Sequence, residues 1–475
     1  MSMNRFNSLA AGLAVGMVVV ATPATATVEV QAAAKPDAEW KSFPTRTLED
    51  LPAAVRTNLD SQLSRYDGLI AGKAKATGFF HTEKIRGRWW LIDPDGCLFI
   101  HKGVASVNTT ASPGATAAFD AKFGSQTNWA AQTTALLREN GFNGAGAWSD
   151  DTALRTAEHP LVYTRIWNFM AAYGRERGGT FARPGHTGYP GDCIFVFDPA
   201  FEKFCDEFAK PLAAMKDDAW LLGHFSDNEM PLSRAALRNY LQLPAADSGH
   251  QAAQTWLQSR HGKNATTNNI TERDEQDFLG VVTARYFEIV SRAIKKYDPN
   301  HLYLGARFYG SNIHCPEMFK AAGPFVDVVS VNLYGAWTPN PERLEMWTRE
   351  YGKPFLITEW YAKAVDSGLA NTGGAGWVVK TQRDRGLFYQ NFTFALLESK
   401  GCVGWHWFKY MDNDPAAKKT DASNQDSNKG ILNNRYEPYP PLLEAMKEIN
   451  QRAYGLIKYF DSAGKANVVE ARKIR

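Results

Sequence analysis

Cysteine is scarce in this 475-residue chain, and the five present, Cys97, Cys193, Cys205, Cys315 and Cys402, are widely scattered. No two have the close spacing of a zinc site, and an odd count leaves one unpaired under any connectivity. Cys193 and Cys205 could bridge after export; all five otherwise read as structural. No block of like charge occurs. With 53 basic and 50 acidic residues the formal charge is +3, which argues against a nucleic-acid partner. No glycine-rich phosphate fingerprint opens a helix, so a dinucleotide fold is disfavoured, and no solenoid repeat is present. Asp412, Asn413 and Asp414 lack the mid-loop glycine and bidentate glutamate of a calcium loop, so no metal and no cofactor is expected.

Apolar runs of leader length are confined to the N-terminus. Arg5 precedes an apolar, small-residue run over 9–21, after which Ala24-Thr25-Ala26 or Ala32-Ala33-Ala34 offers a cleavage site. This is the outline of a secretory signal peptide over 1–34, cut near 26 or 34, and too short for a membrane span. The expectation is an exported protein, periplasmic or extracellular, without stable membrane insertion.

What the chain does have is aromatic residues, 12% in all with 14 Trp, enough for a large core and for surfaces that stack on flat ligands. Residues 35–98 read as an N-terminal segment with a helical patch near 59–69, followed by a β-hairpin or meander. Its runs at 78–83, 88–92 and 97–100 are punctuated by the turn Asp93-Pro94-Asp95-Gly96. From 99 onward strand-like runs alternate with helix-like segments at about 129–140, 275–297 and 382–399. The runs are 99–104, 143–148, 161–169, 221–230, 302–307, 326–332, 354–359 and 403–408. Eight runs in eight alternations predict an α/β fold, a (β/α)8 TIM barrel over 99–460, with a tail over 461–475.

Polar and aromatic residues gather at the ends of these runs, where a barrel keeps its active site: Asn108, Trp148, Glu229, Arg307, Tyr334, Glu359 and Trp405. Long segments leave the same rim at 174–192, 231–271 and 366–377, and loops of such length are usually functional. Two carboxylates facing across a cleft can cleave a glycosidic bond. Glu229, at the end of the fourth run, is assigned as acid/base, and Glu359, at the end of the seventh, as nucleophile. That pairing implies retention of configuration, with the carboxyl groups about 5–5.5 Å apart. Asn228 is placed to bond a sugar 2-hydroxyl. Tyr334 and Arg307 are expected to hold Glu359 ionised. Trp360 and Tyr361 read as walls for a sugar ring, and Trp405, His406 and Trp407 as a stacking floor, with the two Trp facing one way and His406 the other. His406 reads as a core or rim histidine rather than a metal ligand. Asn428, in the polar loop 426–430, is a candidate sugar contact. The role of Asp227 stays open.

The stretches His224-Phe225-Ser226-Asp227-Asn228-Glu229, Thr358-Glu359-Trp360-Tyr361-Ala362-Lys363-Ala364 and Gly376-Trp377-Val378-Val379 resemble β-agarases of glycoside hydrolase family 50. So do Arg383-Asp384-Arg385-Gly386, Gly404-Trp405-His406-Trp407-Phe408-Lys409-Tyr410 and Ser427-Asn428-Lys429-Gly430. The resemblance runs from about 80 to 457 and is densest over 354–431. It implies a retaining barrel that hydrolyses β-1,4 links of agarose, with Glu229 as acid/base, Glu359 as nucleophile and Trp377 among the sugar contacts. Characterised members usually carry a β-rich region before the barrel. Here about forty residues separate the expected cleavage site from the hairpin, too few for such a domain, which leaves room for a preference for soluble oligosaccharides. The partner expected is therefore an agarose-type galactan or its oligosaccharides. Open alternatives are a retaining barrel on another β-glycan, such as porphyran, carrageenan or mannan, and a non-catalytic carbohydrate-binding barrel.

Overall fold

The computed structural model describes residues 28–109, 112–183, 185–417 and 424–462. Most of the expected leader (1–27) and most of the expected tail (463–475) lie outside the described residues. The first strands are unexpected. β1 (Val28–Ala33) and β2 (Lys41–Thr45) form an antiparallel hairpin inside what had read as leader and polar linker. β3 (Leu69–Lys73), β4 (His81–Ile85), β5 (Arg88–Ile92) and β6 (Cys97–Phe99) form the expected small antiparallel sheet, in the order β3-β6-β5-β4. Asp93 makes the turn by accepting the backbone N–H groups of Asp95 and Cys97. The helical patch expected over 59–69 is not a helix. Ser64 Oγ takes the N–H groups of Tyr66 and Gly68, and the Asp60 carboxylate is turned to those of Tyr454 and Gly455. Local side-chain bonds of this kind compete with helix formation.

The barrel strands follow: β7 (His101–Val104), β8 (Gly144–Ala145) and β9 (Val162–Ile166). A rim hairpin, β10 (Phe181–Arg183) with β11 (His186–Gly188), precedes β12 (Leu221–Phe225). Then come β13 (Leu302–Tyr303), β14 (Arg307–Phe308), β15 (Val329–Asn332) and β16 (Phe355–Glu359). After the rim strands β17 (Ala362–Ala364) and β18 (Trp377–Val379) the last barrel strand is β19 (Cys402–Trp407). The sheet order is β13-β12-β9-β8-β7-β19-β16-β15-β14. β13 and β14 are two halves of one strand, interrupted at Gly305, whose φ of +72° suits glycine. Hydrogen bonds cross the break without a gap: Leu304 N to His224 O, Ser226 N to Gly305 O, Arg307 N to Asp227 O and Glu229 N to Arg307 O. The nine segments therefore close into eight parallel strands, and all eight sequence runs supply one.

Helices form where capping and charge favour them. Glu272–Tyr297 opens with a Thr271/Asp274 capping box and three acidic residues and ends with Lys295 and Lys296. Gln382–Glu398 opens with the Thr381/Asp384 box. No helix among the described residues is long and apolar enough to cross a membrane.

The two ends of the barrel differ. At the N-terminal end Tyr66, Phe80, Leu91 and Phe99 plug the interior against Leu222, Val328, Leu356 and their neighbours. Above that plug His101 and His406 sit where Gly103 and Gly144 leave space; a Cβ on either glycine would collide with an imidazole. His406 Nε2 and His101 Nδ1 are 2.7 Å apart, and His101 Nε2 donates to Val162 O at 3.1 Å. His406 is thus a core histidine paired with another from the first barrel strand. At the C-terminal end β1 pairs with β18, and β17-β18-β1-β2 forms a sheet over the rim. The five cysteines are buried free thiols, so the Cys193–Cys205 bridge does not form.

Candidate active site

The buried strand β12 delivers Ser226, Asp227, Asn228 and Glu229 to the rim, where Asp227 parts company with the two residues after it. Asp227 turns outward and is 1% exposed. It accepts the N–H groups of Met170 (2.9 Å) and Ala171 (3.2 Å), in the first turn of helix Phe169–Arg177, and the Tyr286 hydroxyl at 2.5 Å. Burial pushes its carboxyl up to about 6, against these three donors. Asp227 therefore clamps the strand end to two outer helices, the role that sequence left open.

Asn228 and Glu229 turn toward the cleft. Asn228 Oδ1 accepts from Arg307 Nη1 (3.1 Å) and Asn332 Nδ2 (3.2 Å). Glu229 Oε1 accepts from Asn332 Nδ2 at 2.8 Å, and its Oε2 lies 3.8 Å from His186 Nδ1. Three strand ends away, Glu359 closes β16. Its Oε1 lies 2.9 Å from Arg307 Nη1, and its Oε2 accepts the Tyr334 hydroxyl at 2.5 Å. Burial, followed by the Glu359 charge, pushes the Tyr334 phenol far above its ordinary value, so it stays a donor. The two carboxylates thus meet different surroundings: a cation and a hydroxyl at Glu359, an amide and an imidazole at Glu229.

Arg307 is 0% exposed. Besides Glu359 and Asn228 its guanidinium donates to Thr358 O at 2.8 Å and lies 4.3 Å from the centre of the Trp148 ring. Buried and joined to both strand ends, it positions Glu359 and Asn228 rather than contacting a ligand, a correction to its place among the sugar contacts. Backbone strain gathers at the same rim. Ser106, Trp148, Asn168 and Glu229, after β7, β8, β9 and β12, all have φ between +50° and +61°. Such residues cost about 1–3 kcal/mol each and mark sites whose geometry is held by the surroundings.

Above these groups opens a cleft of about 940 Å³. Trp148, Tyr309, Tyr334, Tyr361 and Phe408 supply its aromatic lining, with Asn228, Glu229 and Glu359 at its base. Trp148 is where the sequence placed it. Asn108 stands behind, donating to Trp148 O at 2.8 Å and fixing that turn. Four other expectations are corrected. Trp360 is 1% exposed, stacked on Phe392 at 4.1 Å beneath the rim. Trp405 is fully buried and donates to the Tyr389 hydroxyl at 2.7 Å; Trp407 is buried too, so neither forms a floor. Trp377 is half-buried against Phe43 and Trp337, bracing the β1–β2 hairpin. Asn428 is buried, accepting from Ala364 N and Gln382 and donating to Asp412.

Sequence reasoning missed Asn332, which joins both halves of the site, together with His186, Tyr309 and the N-terminal residues Ala34 and Lys35 that line the cleft. Asn332 was legible as the polar end of the sixth run. His186 lies on a rim hairpin that no strand pattern announced.

His224, Asp298 and His301 cluster outside the barrel with metal-like spacing. Their ring nitrogens are engaged: His224 by Trp167 Nε1 and Asp298, His301 by Asp298 and Asp218 O. Although burial opposes it, the two imidazoles hold the Asp298 carboxyl well below the usual range. The cluster is a closed hydrogen-bonded brace.

No family model matches the chain. Among curated proteins it is 28% identical to "Beta-agarase B" of Vibrio sp. (strain JT0107), over 83% of this chain and 50% of that protein. It is 26% identical to "Beta-agarase A" of the same organism, over 72% of this chain and 37% of that protein. The chain thus spans half or less of the length of these relatives. Among solved structures, that of BpGH50 is 31% identical with a TM-score of 0.81, covering 92% of this chain and 96% of the other. An exo-beta-agarase at 22% identity and TM-score 0.71, covering 87% of this chain and 71% of that one, shares the fold.

Proposed function

The chain belongs to glycoside hydrolase family 50, and we propose that it is an exported β-agarase that cleaves β-1,4-galactosidic bonds of agarose or neoagaro-oligosaccharides by double displacement. One observation carries the reading: two glutamates on different strand ends share one cleft in unlike surroundings. Arg307 and the Tyr334 hydroxyl donate to the two carboxyl oxygens of Glu359 and fix them in place, as a nucleophile needs. Glu229 has an amide and an imidazole beside it and opens to the cleft, where a proton can be passed and regained.

In the first step Glu359 attacks the anomeric carbon while Glu229 protonates the departing oxygen, giving a glycosyl ester and a shortened glycan. In the second, Glu229 takes a proton from water, the water oxygen attacks the same carbon, and Glu359 leaves as carboxylate. The β configuration is retained after two inversions. Asn228 has its Oδ1 occupied by Arg307 and Asn332, which leaves its Nδ2 for the sugar 2-hydroxyl. Trp148, Tyr309 and Tyr361 offer ring faces for the sugars. Agarose is the substrate class named for the two Vibrio relatives.

Purified chain would be incubated with agarose, neoagaro-oligosaccharides, porphyran, carrageenan and mannan, with products separated by chromatography and the first anomer read by NMR. Neoagaro-type products in the β form are expected. No product from any agar-type substrate removes the agarase reading, and an α anomer formed first removes double displacement. Glu359→Ala is expected to fold and to lose several orders of magnitude in rate; retained activity would take the nucleophile role from Glu359.

A further inference from the structure

Phe181 is 48% exposed, and of the described Phe, Tyr and Trp residues it alone lies open to solvent. A single exposed apolar side chain needs no explanation, but this one stands on the rim hairpin that serves the cleft. Phe181 opposes Gly188 and Arg183 opposes His186 across the antiparallel β10–β11 pair, so these four residues share one face of the hairpin. On that face His186 reaches the cleft: its Nδ1 is 3.8 Å from Glu229 Oε2, and its Nε2 is 3.3 Å from the Tyr309 hydroxyl. In the sheet β12 lies between β9 and β13, so the segments after β9 and β14 meet over the end of β12, on the Glu229 side of the cleft. Gly188 is two residues along β11 from His186, about 7 Å, and Phe181 stands over it. The glycine makes a seat for the ring, since a Cβ on Gly188 would collide with Phe181. Arg183, paired with Asp192 at 3.0 Å, puts its guanidinium 5.4 Å from the ring centre. An aromatic ring is thus held in water, on the face that leads into the cleft and one step outside it.

We propose that Phe181 forms a distal sugar subsite on the leaving-group side, stacking on the galactan unit beyond the one that abuts Glu229, so that long leaving groups are preferred. The inference rests on the galactan-hydrolase reading. The occupant follows from continuity with the cleft. The leaving oxygen takes its proton from Glu229, so the departing chain runs out past His186 and Tyr309, and the next exposed ring on that hairpin is Phe181. A pyranose offers a flat C–H face that an aromatic ring covers while the hydroxyls stay in water. Arg183 and Asp192 neutralise each other beside the ring, so stacking rather than charge holds the sugar.

The test gives the full chain neoagaro-oligosaccharides of increasing length and an aryl β-glycoside of a neoagaro-type disaccharide, whose phenol leaving group ends beside Glu229. Phe181→Ala is expected to lower the ratio of kcat/KM for long oligosaccharide over aryl glycoside about fivefold, the scale of one aromatic contact, mainly through KM. Phe181→Tyr should restore the ratio. Added oligosaccharide should also capture the glycosyl ester less well in Phe181→Ala, because an acceptor hydroxyl replaces water from the place where the leaving group lay. An unchanged ratio, or equal losses on the two substrates, overturns the subsite. If no galactan is cleaved, the hydrolase reading falls and calorimetry on Glu359→Gln, with and without Phe181→Ala, decides the subsite separately. Weaker binding of long oligosaccharide in the double variant supports it, and equal binding overturns it. A Phe181-dependent dimer in sedimentation, with oligosaccharide kinetics unaltered, makes the ring a contact between copies and overturns the proposal.

Discussion

Replacing Tyr334 by Phe removes one hydroxyl and little else. The ring keeps its edge-on contact with Tyr361 at 5.5 Å, so packing is preserved. What is lost is the 2.5 Å hydrogen bond to Glu359 Oε2, while Arg307 continues to hold Oε1 at 2.9 Å. A hydrogen bond to a charged group is worth about 1.5–3 kcal/mol, or roughly ten- to hundredfold in rate where it acts on a barrier. It acts unevenly on the two steps. In forming the glycosyl ester Glu359 surrenders its charge, so the bond weakens toward that transition state and its loss costs little. In breaking the ester the carboxylate recovers its charge, so the bond strengthens and its loss is felt in full. With Arg307 still in place the lower end applies. Tyr334→Phe should therefore lower kcat about tenfold, lower kcat/KM less, and reduce KM as the intermediate accumulates. The assay is steady-state turnover of neoagaro-oligosaccharides with a rapid-quench measurement of the first turnover, where a burst should emerge. An unchanged kcat, or a fall in kcat/KM exceeding that in kcat, would refute the reasoning.

Trp405→Phe should cost about 1–3 kcal/mol in urea unfolding, because the Tyr389 hydroxyl loses its donor, and should leave KM within about twofold; a large rise in KM would restore Trp405 to the sugar surface. Burial pushes His101 down to about 4, so imidazole NMR should find it neutral well below pH 6; titration near 6.5 would contradict the packing. In the unfolded chain histidine takes its proton near 6.5, so His101 withdraws about 3 kcal/mol of stability as the pH falls from about 6.5 to about 4. N-terminal sequencing of exported protein should begin at Thr27. A cut after Ala34 would remove β1, with buried Ala32 and Ala33, and a chain starting at Lys35 should unfold at lower temperature. Full activity and stability in that shortened chain would sink the prediction.

The barrel was legible because each of its strands is a short apolar run ending in polar residues, and that pattern survives translation into sequence. The β1–β2 hairpin was not. Its small residues read as a cleavage site, and its strand partner on the rim lies at 377–379, beyond any local window. At the site both glutamates were legible as strand ends, as were Trp148 and Tyr361, whereas the assignments of Trp360, Trp405 and Trp407 failed on facing. Alternation separates neighbours: with Glu359 turned to the cleft, Trp360 must turn to the helix layer, where it stacks on Phe392. The same rule sends Trp405 and Trp407 outward and His406 into the barrel. Asn332, His186 and Tyr309 come from separate strands and loops, and only closure of the barrel brings them together.

The hairpin over the rim sets an order in time. Arg46 N bonds Asn391, and Leu48 N bonds Gln390, a partner 342 positions later. A chain made N-terminus first has its opening strands ready at once but must wait for nearly the last helix before they can dock. Closing so long a loop adds little to the equilibrium cost, since each doubling of length costs about 0.6 kcal/mol. It does slow folding, because distant contacts are found late. A partly synthesised chain can thus hold both glutamates yet lack the Ala34–Lys35 side of the cleft, and the finished cleft becomes a sign that nearly the whole chain has been made.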